Sequence, residues 1–277
     1  MRLVALLAGI EHDPLRLVFS GGTSLSKGYN LIRRFSEDLD FKLVLPKGGV
    51  PRSVRSGYRR QVVQAIRATG NWTIEDTDIQ VGNASQFFSC LIGYSNSFAP
   101  ARGLRPQVKL EVTFSAPAFP PEKRPLRSFV AEGRKEGPEV AAIACVSPVE
   151  TAADKLSALT WRVLTRQRGG ARDEPALIRH LHDLAALETL ASEHPEFPEL
   201  LLRLLVQDAA RGRAVPEIAA MTPGHRLAAA LDMLAGDPDY RAEYDRFVLG
   251  MSYAPAGETP SFQTALEAAR RLAKLIS

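Results

Sequence analysis

The sequence predicts an α+β fold, with a mixed, twisted sheet and flanking helices over residues 1–146 and a helical bundle over residues 147–277. Three patterns predict this fold class. Residues 18–41 show in turn a strand, a glycine turn, a helix and a second strand. β-like runs lie within residues 72–114, and the last of them alternates apolar and polar side chains. Beyond Ser147 the apolar residues recur at helical spacing.

The amino-terminal elements follow from short apolar runs and a glycine pair. The opening MRLVALLAGI is too short to span a membrane, so we expect a first helix that packs on the sheet. Residues 15–19 then predict a strand, the glycines at 21–22 a turn, and residues 23–34 a helix. A tight corner leads from there into a strand that begins at Asp38.

The middle of the chain predicts one helix and the rest of the sheet. The helix is expected over residues 52–69, directly after the break PKGGVP. Residues 117–138 are rich in proline and basic residues, which predicts loops with one short strand near residues 126–130. Strands are expected over residues 72–81, 86–94, 107–114 and 140–146.

A helix start at Ser147 separates the two predicted domains. Ser147 and Glu150 have capping-box spacing and Pro148 takes the first helical position, so we expect a helix that ends near Gln167. The later chain shows helical apolar spacing interrupted by proline and glycine. Further helices are expected over residues 196–211, 223–235, 238–250 and 260–276.

The composition is that of a globular protein. Of its 277 residues, 45% are hydrophobic and 24% are charged, and the net charge is +4. Cys90 and Cys145 are the only cysteines, which excludes a disulfide framework and a cysteine-rich zinc site. Two lone thiols suit a reducing compartment, so we expect a cytoplasmic protein with no membrane segment.

Two aspartates at the start of a predicted strand indicate a metal site. Asp38 and Asp40 share one face of the strand, because successive side chains point to opposite faces. Two neighbouring carboxylates repel each other unless a cation lies between them, and hard oxygen ligands suit Mg²⁺, or Mn²⁺ in its place. The glycine turn at a helix start adds backbone N–H groups and a positive dipole end, which favour a phosphate.

The same stretch resembles the AbiEii/MenT-type toxins, the nucleotidyltransferase halves of type IV toxin–antitoxin pairs. The resemblance is carried by the turn GGTSLSK at residues 21–27 and by RFSEDLDF at residues 34–41. It implies a nucleotidyltransferase fold, an NTP substrate, a divalent metal and a cognate antitoxin. It is strongest over residues 18–41 and weaker over residues 147–184.

The resemblance also implies roles for single residues. Asp38 and Asp40 are expected to bind the metal, and Glu111 to supply a third carboxylate from a neighbouring strand. Glu111 has an alternative interpretation, as an ordinary outward acid paired with Lys109. Lys155 opens a K-L-x-A-L motif whose lysine is expected to hold the nucleotide phosphates. The residues expected to bind the substrate near the turn are Gly21, Gly22, Thr23, Ser24 and Lys27.

The fourth motif departs from the pattern of the resembled family. The family has R-D-x-x-D here, and the best match begins at Arg179, with His180 in place of the first acid and Asp183 as the second. Asp173 in the preceding glycine-rich loop is a second candidate for the acid, as is His180 itself. His180 and His182 are two residues apart on a helix and do not face each other, which favours packing over metal binding.

The acceptor is predicted from basic residues. The helix at residues 52–69 carries five arginines and no acid, which indicates contact with phosphates unless this is merely a solvated face. Arg162 and Arg166 lie on one face with Lys155 and extend this basic character, followed by Arg168 and Arg172. An RNA acceptor is therefore expected, with tRNA favoured by the resemblance, and nucleotide transfer to it would block translation and growth. The alternatives are transfer to a small molecule or a protein, and a non-catalytic module that binds nucleotide or antitoxin.

Overall fold

The computed structural model describes residues 1–95, 107–171, 173–211 and 215–276. The chain divides into two compact units. The sheet unit comprises Met1–Asn30 and Phe35–Ser147, and the helical unit comprises Leu31–Arg34 and Pro148–Ser277. The short segment Leu31–Arg34 thus belongs to the helical unit, although it lies far from the rest of that unit in the sequence.

The sheet unit contains four helices and eight strands within its described residues. The helices are α1 (Arg2–Ala8), α2 (Gly21–Lys27), α3 (Arg52–Ala68) and α4 (Phe129–Arg134). The strands are β1 (Arg16–Ser20), β2 (Asp38–Val44), β3 (Trp72–Thr73), β4 (Ile79–Gly82), β5 (Phe87–Tyr94), β6 (Gln107–Thr113), β7 (Glu122–Leu126) and β8 (Val140–Cys145).

The strands form one mixed sheet with β2 near its centre. The order is β3-β5-β6-β2-β1-β8-β7, and β4 pairs with β5 outside this path. β2 runs antiparallel to β1 and parallel to β6. The mixed sheet with flanking helices confirms the predicted fold class.

One face of β2 belongs to the hydrophobic core. Leu39, Phe41 and Leu43 are buried there together with apolar side chains of α1 and α3. Because side chains alternate along a strand, Asp38 and Asp40 point to the opposite face. The core thus fixes the register of the strand, since a slip by one residue would turn the acids into the apolar core.

Two local predictions in the sheet unit are wrong. The helix expected over residues 23–34 ends at Lys27, because the chain turns there and Asn30 adopts a left-handed φ of 54°. The short strand expected near residues 126–130 lies earlier, as β7. Ser128 instead begins α4, because its side chain accepts a hydrogen bond from the Ala131 N–H at 3.1 Å.

The helical unit consists of seven helices within its described residues. They are α5 (Pro148–Thr165), α6 (Arg179–Ser192), α7 (Phe197–Arg211), α8 (Pro216–Ala220), α9 (Pro223–Gly236), α10 (Pro238–Met251) and α11 (Phe262–Ala273). α5 packs against α6, α7 and α9. Among the described residues, no helix is both long and apolar enough to cross a membrane.

The segment Leu31–Arg34 is built into the helical unit by its backbone and its side chains. The Arg33 carbonyl accepts a hydrogen bond from the Tyr253 N–H at 3.0 Å. Ile32 and Arg34 are only 1% and 2% exposed. Ile32 and Arg34 are therefore part of the interior of this unit.

Candidate active site

The two predicted metal ligands lie at the start of β2. Asp38 is buried and Asp40 is partly buried, and the alternation of the strand gives them a common face. In the sheet register Asp40 lies opposite Ser20 of β1 and beside Glu111 of β6. The sheet therefore places three predicted site residues on neighbouring positions of one face.

Gly21 lets the turn approach this acidic face closely. Its φ is 72°, which L-residues with a side chain rarely adopt. A Cβ atom at this position would lie 1.9 Å from Oδ2 of Asp40. Gly21 is thus required both by its backbone conformation and by the position of the Asp40 carboxylate.

The residues after Gly21 lie within the interior of the sheet unit. The Thr23 hydroxyl donates a hydrogen bond of 2.6 Å to the backbone carbonyl of Asp38, which ties the turn to β2. Gly22 is buried, and Ser24 is only 2% exposed. The structure brings Thr23 to Asp38, whereas it buries the Ser24 side chain.

Lys27 lies at the other end of α2 from the glycine turn. Six residue steps separate it from Gly21, about 9 Å along a helix axis. Its ammonium pairs with Glu132 at 3.4 Å and lies 3.0 Å from the centre of the Phe129 ring. Burial lowers the pKa of the Lys27 ammonium, and the Glu132 charge opposes this change. A role in phosphate binding would require Lys27 to exchange Glu132 for a phosphate.

Glu111 satisfies both interpretations suggested by the sequence. It is the β6 neighbour of Asp40, and its carboxylate also pairs with the Lys109 ammonium at 2.6 Å. Within the part of the chain that the structure describes, no group of three His, Cys, Asp or Glu side chains is arranged to hold a metal. Glu111 therefore does not complete a three-carboxylate site in this conformation.

The acidic pair nevertheless fits a magnesium ion. Mg²⁺ binds hard oxygen ligands and commonly takes one or two carboxylates, with substrate phosphates and water as its other ligands. Asp38 and Asp40 supply two carboxylates, and the absence of a side chain on Gly21 makes room for the Asp40 carboxylate beside the turn. This donor set suits a metal that arrives with a nucleotide.

The helical unit contains a buried ionic cluster around Asp183. The Lys155 ammonium lies 2.8 Å from Oδ2 of Asp183. Arg34 donates from Nε to Oδ1 at 2.7 Å and from Nη2 to Oδ2 at 2.6 Å. His182 Nδ1 lies 3.3 Å from Oδ1. Asp183 is fully buried, and both cations are almost fully buried with it.

The charges in this cluster control each other's protonation. Burial alone would raise the pKa of Asp183, but Arg34 and Lys155 hold it well below its usual range. Burial lowers the pKa of Lys155, and the Asp183 charge opposes that effect. Burial also lowers the pKa of His180 well below its usual value, with further lowering by Lys155 and Arg162. Asp183 is thus ionised and His180 neutral at pH 7.

The cations predicted beside Lys155 already have carboxylate partners. Arg162 pairs with Glu174 at 3.0 Å and lies near His180. The Arg166 side chain is only 4% exposed and forms two hydrogen bonds to Glu243, at 2.7 and 2.8 Å. These pairs provide contacts within the helical unit, and Arg166 would have to exchange a carboxylate partner for a phosphate in order to bind a substrate.

The structure also distinguishes the two acids considered for the fourth motif. Asp173 pairs with Arg166 at 2.8 Å and accepts the Gly169 N–H at 2.8 Å, so it shapes the loop. Asp183 contacts Lys155 directly. The geometry therefore favours Asp183 as the partner of the lysine, while Arg172 lies outside the described residues.

Comparison with known families places this chain. The model for the nucleotidyl transferase AbiEii toxins of type IV toxin–antitoxin systems matches residues 5–268. The chain belongs to the AbiEii nucleotidyltransferase toxin family. The resemblance noted in the sequence is thereby confirmed. Membership in the AbiEii family implies a nucleotidyltransferase with NTP as substrate and an antitoxin as partner.

A solved structure is similar to this chain over almost its whole length. It is MenT4, described as a nucleotidyltransferase toxin of Mycobacterium tuberculosis H37Rv. The two are 19% identical, and the similarity covers 99% of this chain and 89% of MenT4 with a TM-score of 0.49. The search of curated proteins finds no match.

The sequence did not identify Arg34 as a member of the ionic cluster around Asp183. Arg34 stands in the RFSEDLDF motif already quoted, but it was taken there only as the end of a helix. The only sequence signal for a role of Arg34 was its charge at the first position of the motif. Its partner Asp183 lies 149 positions away, so no local pattern connects them.

Proposed function

We propose that this AbiEii-family chain transfers a nucleotide from an NTP to an RNA acceptor in a Mg²⁺-dependent reaction, with tRNA as the favoured acceptor. Such a transfer would block translation and growth. One observation carries the proposal: Asp38 and Asp40 share the face of β2 against which Gly21 lies. A metal–triphosphate complex needs ligands for the metal and a backbone that the phosphates can approach, and the two aspartates and the glycine turn supply these.

Asp38 and Asp40 are the proposed metal ligands. When bound there, Mg²⁺ would offset the charge of the triphosphate and favour attack by the acceptor hydroxyl. Thr23 supports this arrangement, because its hydrogen bond to the Asp38 carbonyl fixes the start of β2 next to the turn. We assign the backbone around Gly21 and Gly22 to the nucleotide phosphates.

The transfer forms one phosphorus–oxygen bond and breaks another. The oxygen of the acceptor hydroxyl attacks the α-phosphorus, the bond to the β-phosphate oxygen breaks, and pyrophosphate leaves. We assign the hydroxyl proton to the Glu111 carboxylate, which is the β6 neighbour of Asp40. Glu111 must release Lys109 to take this role, since the two are paired at 2.6 Å.

Lys155 is the proposed phosphate contact of the helical unit. The ion pair with Asp183 stabilises its charged form in a site where burial lowers its pKa. The ammonium carries three N–H groups, so the bond to Asp183 leaves two others for phosphate oxygens. This assignment rests on the K-L-x-A-L motif of the family.

Three of the five arginines of α3 are the proposed RNA contacts. Arg55 donates to the carbonyls of Val50 and Ala84, and Arg67 bonds to Ile74 and Asp76, so both stabilise the fold. The side chains of the three remaining arginines have no hydrogen-bond or ion-pair partner among the described residues. They lie within an arc of about 100° around the helix axis. They are Arg52, Arg59 and Arg60.

A labelling assay tests the proposed function. The protein is incubated with each α-labelled NTP, Mg²⁺ and total cellular RNA, and labelled RNA is then resolved by size. We expect label in the tRNA fraction, loss of it in Asp38→Ala and Asp40→Ala, and no loss in Asp232→Ala, which removes an exposed acid of the helical unit. Label confined to small molecules or to protein would refute the RNA acceptor. Absence of any transfer would refute the enzymatic function.

A further inference from the structure

Arg34 makes an unusually complete contact with Asp183. Its guanidinium donates to both carboxylate oxygens, at 2.7 and 2.6 Å, and its side chain is 2% exposed. Paired charge-assisted hydrogen bonds of this kind fix the relative geometry of the two planar groups. The segment Leu31–Arg34 is itself held by the Tyr253 N–H, so the guanidinium has a fixed base.

The same carboxylate holds the proposed phosphate ligand. Oδ2 of Asp183 accepts from Arg34 and also pairs with the Lys155 ammonium at 2.8 Å. The terminal torsion of an aspartate is soft, so a carboxylate held by one ammonium alone can rotate about it. A second partner that engages both oxygens removes this freedom.

We infer that Arg34 is a positioning residue for Lys155, because it fixes the plane of the Asp183 carboxylate and thereby the location of the Lys155 ammonium. The inference rests on the proposed role of Lys155 in binding the NTP. Arg34 acts through Asp183 and does not itself need to touch the nucleotide.

Arg34 also affects the charge of Lys155. Burial lowers the pKa of Lys155, Asp183 raises it, and the nearby positive charges of Arg34 and Arg179 lower it further. His180 is also close enough for Lys155 to affect its protonation. Loss of the Arg34 charge alone therefore raises the pKa of Lys155, whereas an Asp183 carboxylate that turns away from the ammonium lowers it.

Two substitutions separate orientation from charge. Arg34→Met removes the charge and the two hydrogen bonds, whereas Arg34→Lys keeps the charge but not the planar pair of donors. The pKa of Lys155 is followed by NMR of ¹³C-labelled lysine, with Lys155→Arg identifying its resonance. We expect the pKa to fall in Arg34→Lys, where the positive charge stays but the carboxylate is no longer held in place, and to lie higher in Arg34→Met, where the positive charge is lost as well.

NTP binding without acceptor gives the second measurement. We expect Kd to rise about tenfold in both Arg34 variants, the effect of weakening one charge-assisted hydrogen bond to phosphate. Arg166→Met is the matched control, because Arg166 is also nearly buried and bonds to both oxygens of Glu243. It should destabilise the unit to a similar degree and leave the pKa of Lys155 unchanged.

The measurements test the role of Arg34 and the role of Lys155 separately. Unchanged NTP binding or an unchanged pKa of Lys155 in Arg34→Lys would overturn the positioning role. If Arg34→Met does not fold, the binding measurement on Arg34→Lys alone decides. Lys155→Ala tests the underlying assumption separately: if it binds NTP normally, the proposed function of Lys155 fails, whereas weak binding there with normal binding in Arg34→Lys refutes only the inference about Arg34.

Discussion

Replacing Gly21 by alanine should reduce transfer far more than it reduces stability. The backbone cost comes from φ at 72°, a left-handed conformation that costs an L-residue about 1–2 kcal/mol. The new Cβ would lie 1.9 Å from Oδ2 of Asp40, and contacts below 3.0 Å do not persist, so the two must separate by at least 3.0 − 1.9 = 1.1 Å. Misplacement of a catalytic group by about 1 Å can lower the rate about 100-fold.

Gly49→Ala is a matched control for this prediction. Gly49 has a φ of 75°, almost the same as Gly21, yet a Cβ there would meet no atom within 4 Å. Gly49→Ala should therefore lose about 1–2 kcal/mol of unfolding free energy in urea titrations, and Gly21→Ala at least as much, because its Cβ must also push Asp40 aside. Only Gly21→Ala should lose transfer activity and bind Mn²⁺, measured by electron paramagnetic resonance, more weakly. Equal activity of the two variants would refute the idea that the turn must approach Asp40 closely.

Three further predictions concern RNA, the fourth motif and pH. Changing Arg52, Arg59 and Arg60 together to Glu should weaken RNA binding and flatten its salt dependence, as measured by filter binding, because fewer counterions are released. An unchanged slope would mean that α3 is only a solvated face. Asp183→Asn should lower turnover strongly and Asp173→Asn only slightly in the labelling assay; the reverse order would reassign the motif. Because the pKa of folded Asp183 is depressed, its stabilisation is present above about pH 4 and lost as pH falls through the folded value, so acid titrations of Asp183→Asn should lack this loss.

Local sequence patterns predicted the acidic strand β2, because the alternation of side chains depends only on neighbouring residues. Alternation put Asp38 and Asp40 on one face, and Leu39 and Phe41 on the other, as the structure has them. The glycine turn could also be predicted, since the close approach of the Gly21 backbone to Asp40 requires a residue without a side chain. These features depend on neighbours within a few positions.

The partners of the ion pairs could not be predicted from the sequence, because they depend on which elements pack together in the tertiary structure. Arg166 was expected to contact a substrate, but it pairs with Glu243, which lies 77 positions away. Arg34 was expected to end a helix, yet the chain leaves the helical conformation after Lys27 and Arg34 pairs with Asp183. Charge on a helix face predicts that a partner exists, whereas its identity depends on which elements pack together.

The placement of Leu31–Arg34 in the helical unit has a consequence for biosynthesis. These residues leave the ribosome more than a hundred positions before Pro148, yet the interior of the helical unit is incomplete without them. A fragment cut at residue 147 would retain the Asp183–Lys155 pair but lose the Arg34 guanidinium that donates to both oxygens of Asp183, and each charge-assisted hydrogen bond lost costs about 1.5–3 kcal/mol. During synthesis, Leu31–Arg34 must therefore stay unpacked until the residues after Pro148 have been made, and we expect the fragment 148–277 to be less stable than the same unit in the whole chain.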